Sequence, residues 1–140
     1  MLRRWMEARG GTEASEDMQA VEAIRAFLLS GDARFTRLWR DDAGRWHEAD
    51  PNRPVANRVG WRRPDGLDGH EFLIPSPAWK AECARLGLDP TNAARTLKNK
   101  GYLRPGEGNH LPRNERIPGS QKPMRVYCIG SRVFGEDGEA

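Results

Sequence analysis

Apolar residues recur at helical spacing near the start of the chain. Met18, Val21, Ile24, Phe27 and Leu28 fall on one face and predict a core-packing helix. Ser15 is its expected N-cap, Glu16 and Asp17 suit its first turn, and Gly31 its C′ position. A separate short helix is expected over residues 1–10, ending at Gly10-Gly11. Further along, Ser76-Pro77 and Asp89-Pro90 each pair a capping residue with proline at the first helical position. They predict helices over 77–86 and 90–100, ended by Gly87 and Gly101. In the first, Trp79, Cys83 and Leu86 lie at i, i+4 and i+7; in the second, Ala93, Ala94 and Leu97 share a face. Together with the first helix, Ala94 and Leu97 are expected to form the core between the two. Leu88 is placed to plug the corner.

Strand patterning is weaker. "RFTRLWR" (34–40) reads as an imperfect strand and "RWHEADPNRP" as a loop. "NRVGWRR" (57–63) and "HEFLIP" (70–75) read as strands of a hairpin, because the intervening "PDGLDG" carries two Asp-Gly pairs. "HLPRNERI" and "MRVYCI" flank a tip, "PGSQKP", and Val126 with Cys128 suggest a one-sided strand. Two helices joined by "GLD" and followed by a hairpin are the order of a winged helix-turn-helix. The expected fold class is therefore α/β (α+β): a winged helix over 76–134, an N-terminal helical segment over 1–31, and a small antiparallel β-hairpin region over 32–75 packed on it. Residues 135–140 are expected to be an acidic flexible tail.

Charge sharpens the picture locally. The net charge of the 140 residues is only +3, yet residues 90–132 hold nine Lys and Arg against two Asp and Glu, a balance of +7. The polar face of the second helix carries Thr91, Asn92, Arg95, Lys98, Asn99 and Lys100 and no acid. A basic patch of this kind is the footprint expected of a nucleic-acid binder. Asn92 and Arg95 are the expected base-reading residues. Lys98, Lys100, Arg104, Arg113, Arg116, Lys122 and Arg125 are the expected phosphate contacts. Thr91 and Asn99 share the helix face. Arg58, Arg62 and Arg63 join them if their hairpin lies on the same side.

The remaining residues point to little chemistry. Cys83 and Cys128 lack zinc-ligand spacing and read as small buried hydrophobes. His47, His70 and His110 are scattered singly, so no metal site is expected. Asp41 and Asp42, like Asp65 and Asp68, fall in turns. No apolar run reaches membrane-spanning length and no signal peptide is evident. A cytoplasmic, non-enzymatic chain without cofactor is expected.

The order "ARF", "NRVGWRR", "EFLIPSPAWKAEC", "LDPTNAARTLKNKGYL" and "RVYCI" resembles the C-terminal region of phage, plasmid and integrative-element ATPases related to replicative helicases, catalogued as domain of unknown function 927. The resemblance runs over roughly residues 5–133. It implies a winged-helix module attached to a nucleotide-hydrolysing core. The chain has no GxxxxGK[ST] phosphate loop, so ATPase activity does not carry over. It is expected to be either one domain of a larger protein or a free-standing remnant of one. The resemblance thus implies a role in mobile-element replication, with DNA as the expected ligand and an ATPase core or another protein as an alternative partner.

The alternative is a protein-interaction module, for a neighbouring subunit or for a host protein that a mobile element inhibits. Trp39, Trp46 and Trp61 discriminate between the two. Adjacent and exposed, they would favour a protein partner; buried, they leave the charge map to decide for nucleic acid.

Overall fold

The structure, a computed structural model, describes residues 2–52, 55–65, 69–118 and 122–134. A long helix, α1 (Leu2–Ser30), leads into β1 (Phe35–Arg40), β2 (Trp46–Glu48), β3 (Gly60–Asp65) and β4 (Gly69–Pro75). Two helices follow, α2 (Ser76–Arg85) and α3 (Pro90–Asn99). After them come β5 (Leu103–Arg104), β6 (Arg113–Glu115) and β7 (Met124–Gly130). The strands form one curled, half-barrel sheet in the order β2-β1-β3-β4-β7-β5, with β6 also on β7. Its pairs are antiparallel except β1 with β3, which is parallel.

This sheet replaces the expected winged helix. The helix pair and the β6–β7 hairpin are both present, but β7 is no wing. It pairs with β4 along one edge and with β5 and β6 along the other. The reason lies in side chains that the sequence reading placed on one face only. Val126 and Cys128 pack on one side of the sheet while Tyr127 and Ile129 pack on the other. Phe72, Leu73 and Ile74 of β4 are likewise buried in succession. A strand buried on both faces must be central, with a layer above and below it.

The two layers differ. On one face α1, α2 and α3 cover Phe35, Phe72, Ile74, Tyr127 and Ile129, and Trp79 stacks on Tyr127 with ring centroids 5.1 Å apart. On the other, Leu38, Trp61, Leu73, Ile117, Val126 and Cys128 form a smaller cluster edged by Trp46 and Met124.

The helical expectations fare better. Trp79, Cys83, Ala94 and Leu97 are fully buried and Leu86 packs against them. Gly87 and Gly101 take the positive φ that ends each helix without a side-chain clash, at +76° and +81°. Asp89 caps α3, but Ser76 is the first residue of α2 and makes no capping bond. Helix α1 runs through Gly10 and Gly11 without a break; glycine inside a helix costs only about 1 kcal/mol relative to alanine. Val21, Ile24, Phe27 and Leu28 are buried as expected, whereas Met18 is exposed. The segment read as a loop after Arg45 contributes β2. The acidic tail and the centres of both hairpin tips lie outside the described residues.

Candidate nucleic-acid interface

Helix α3 is fixed at its start by two bonds. The Asp89 carboxylate accepts the Asn92 backbone N–H at 2.8 Å, and the Trp79 indole N–H donates to the Pro90 carbonyl at 3.0 Å. Ala93, Ala94 and Leu97 are buried beneath it. The opposite face presents Thr91, Asn92, Arg95, Asn99 and Lys100 to solvent, with Lys98 half-buried.

That face divides into two stripes at i, i+4, i+7 spacing. Asn92, Thr96 and Asn99 line a groove shared with Glu16, Asp17 and Gln19 of α1. The α1 carboxylates make this flank unfavourable for a phosphate. Thr91, Arg95 and Lys98 form the outer stripe. Arg95 lies between the two, lining the groove and donating to the Asn92 side-chain oxygen at 3.4 Å. Lys100 follows at the helix C-cap.

The sheet cations are placed very differently. Arg63 is 9% exposed. Its Nε donates to Glu71 Oε2 at 3.4 Å and its terminal nitrogen to Glu115 Oε1 at 3.1 Å. Strand register explains this, since Arg63 sits directly across from Glu71 in the β3–β4 pair. Desolvation favours the neutral guanidine, but the two carboxylates outweigh it and leave the pKa above the usual arginine value. Arg63 is therefore not a phosphate contact. Arg104 donates to Glu71 at 3.4 Å and Arg113 pairs with Glu115 at 3.1 Å, so each has an acidic partner although their side chains stay 42% and 35% exposed. Arg58 lies 4.6 Å from the Trp61 ring centre and Arg62 5.8 Å from Phe72. Arg62 and Arg63 alternate across β3, which puts them on opposite faces of the sheet; the hairpin does not present them together.

Of the remaining candidates, Arg125 shares a cleft with Arg113, Glu107 and His110. Arg116 shares another with Arg45, Trp46 and His47. Lys122 is exposed beside the β6–β7 tip.

A second surface, one of arginine and tryptophan with two carboxylates, went unread in the sequence. β1 pairs with β3 only through Arg37↔Arg62, and beyond that point only with β2. The sheet opens there into a cleft of about 670 Å³ lined by Trp39, Arg40, Trp46, Arg63, Pro64, Glu71, Arg113 and Glu115. Arg40 and Arg63 lie 5.8 and 5.0 Å from the Trp46 ring centre. His47 stacks at 4.9 Å on Trp39, and its Nε2 meets Asp41 Oδ2 at 2.7 Å. That bond, with the Arg45 backbone N–H, holds the Asp41 carboxyl below its ordinary range. The interleaving of arginine and tryptophan in "RLWR" and "RWH" was the available signal.

Two buried polar atoms on this face, Glu71 Oε1 and Trp61 Nε1, have no hydrogen-bond partner among the described residues. The thiols are inert by placement. Burial pushes both Cys83 and Cys128 up to about 12, with nearby carboxylates adding to it. No group of three or more His, Cys, Asp or Glu among the described residues is arranged to hold a metal ion. No described helix is long and apolar enough to cross a membrane.

Comparison with protein-family models and with curated proteins finds no match. The resemblance to the helicase-like ATPases rests on the quoted residues alone, and the winged helix it implied is replaced by the curled sheet.

Proposed function

We propose that the protein binds nucleic acid, with DNA as the first candidate, through the outer stripe of α3. One observation carries the reading. Thr91, Arg95, Lys98 and the adjoining Lys100 stand on a helix whose other face is buried and which itself carries no acid on its polar face, the carboxylates of Glu16, Asp17 and Asp89 lying along the groove that Arg95 also lines. A rigid helix with a cationic outer face suits a phosphate backbone, and Arg95 near its first turns has the donors to read a base edge. The tryptophans add support. Trp61 is 5% exposed and Trp46 is half-buried, so only Trp39 of the three is exposed. They do not form the adjacent exposed set that would favour a protein partner.

Titration against duplex and single-stranded oligonucleotides at two salt concentrations tests the reading. Affinity is expected to fall steeply with salt, because each neutralised phosphate releases counterions. Binding of neither form at low salt, or binding indifferent to salt, would remove it.

A further inference from the structure

The cleft between the diverging ends of β1 and β3 takes no part in the α3 reading, yet its lining has a chemistry of its own. On its lip Trp39 is 47% exposed, and among the described residues it is the sole exposed large apolar side chain on the sheet, the others being Met18 and Leu29 on α1. The Trp39 ring packs on His47 in a tilted stack, and about half of the residue stays exposed. Trp46 is already engaged by Arg40 and Arg63. Trp46 also borders the neighbouring cleft, which carries Arg45, His47 and Arg116 and no acidic residue.

A half-exposed indole packed on a neighbouring ring, with Arg40 lining the same cleft, is an arrangement that receives an unstacked base and a flanking phosphate. A cationic ligand is disfavoured because arginine already occupies the ring of Trp46. A protein partner is disfavoured because a single exposed tryptophan, the sole exposed large apolar side chain among the described residues of the sheet, is not an apolar patch. Duplex DNA offers no free base face to stack on.

We propose that this cleft is a site for single-stranded nucleic acid. Trp39 supplies the stacking surface and Arg40 meets a phosphate in the same cleft, while Arg45 and Arg116 meet the strand where it passes Trp46 into the neighbouring cleft. The first cleft's carboxylates, Glu71 and Glu115, are held by Arg63, Arg104 and Arg113. The proposal rests on the nucleic-acid reading for its ligand class, but it uses a different surface. It extends Arg116 from an isolated candidate into one member of a built site.

A labelled oligothymidylate of 15 nucleotides and a blunt duplex of equal length are the probes, with fluorescence anisotropy as the readout. Trp39→Ala is expected to lower oligothymidylate affinity roughly tenfold, in line with the loss of one base–aromatic stack. It should leave duplex affinity and the unfolding midpoint unchanged. Trp39→Phe should recover most of the loss, because a phenyl ring still stacks. If Trp39→Ala binds oligothymidylate as the parent does, the site is overturned while α3 is untouched. A parent that binds oligothymidylate but no duplex, with the Trp39 dependence intact and no loss for Lys98→Ala/Lys100→Ala, upholds the cleft and removes the α3 reading. A parent that binds neither probe removes both.

Discussion

Lys98 and Arg63 are both cations in stretches of positive balance, and the fold treats them in opposite ways. On α3 the helical period separates the apolar positions from the charged ones, so Leu97 is buried and Lys98 reaches the surface. On the sheet, strand register sets Arg63 against Glu71 and brings Glu115 to its other side. The charge is spent inside the protein. Charge counted along a chain therefore measures surface potential only where the local structure keeps opposite charges apart. On a helix the period reveals that from the sequence. On a sheet it depends on which strands become neighbours.

The largest expected effect falls on the sheet side of this comparison. Glu71 is 4% exposed and holds both Arg63 and Arg104. Glu71→Ala leaves a buried guanidinium short of a counter-charge and is expected to cost about 3–5 kcal/mol in denaturant unfolding. Glu71→Gln keeps the size of the side chain but also removes the charge, so it should cost nearly as much. A loss under about 1 kcal/mol for either variant would show that the ion network does not hold this face together.

On the helix side, Leu97→Ala is expected to cost about 2–5 kcal/mol, since the side chain is fully buried between α3, its neighbours and the sheet. A loss under about half a kcal/mol would mean that the apolar stripe of α3 is out of phase, and with it the assignment of Lys98 to the outside.

The two helix starts give a smaller contrast. Asp89→Ala removes a cap bond of 2.8 Å and is expected to cost about 0.5–2 kcal/mol. Ser76→Ala removes no such bond and should change the unfolding free energy by less than about half a kcal/mol. Equal effects would erase the distinction between them.

Much of the helical half was legible in the sequence for local reasons. Proline at the first helical position, a capping aspartate and glycine with positive φ are all set by neighbours within four residues. The face occupied by Trp79, Cys83, Ala94 and Leu97 follows from the helical period. The β3–β4 hairpin was legible too, through its Asp-Gly turn. What escaped was non-local. Nothing in "MRVYCI" states that β4 lies on one edge and β5 and β6 on the other. The alternation of Val126 and Cys128 hid the equal burial of Tyr127 and Ile129. The parallel pairing of β1 with β3 spans the β2 hairpin and a long connection, and the cleft at Trp39 exists only because that pairing stops at Arg37. Of the candidate site, the α3 face was readable from periodicity. The pairing of Arg63, Arg104 and Arg113 with glutamates was not, because each partner is brought in by sheet register.

The central claim is that Arg95, Lys98 and Lys100 on the polar face of α3, and not the ion-paired cations of the sheet, meet the nucleic acid. The direct measurement is the salt dependence of affinity for one duplex, taken for the parent, for Lys98→Ala/Lys100→Ala and for Arg104→Ala/Arg113→Ala. The α3 pair is expected to lower the slope of log affinity against log salt by roughly 1.8, at about 0.9 per phosphate contact, and to weaken binding to all sequences alike. The sheet pair should leave that slope where the parent has it. An unchanged affinity and slope for the α3 pair, or the full reduction for the sheet pair instead, would contradict the account.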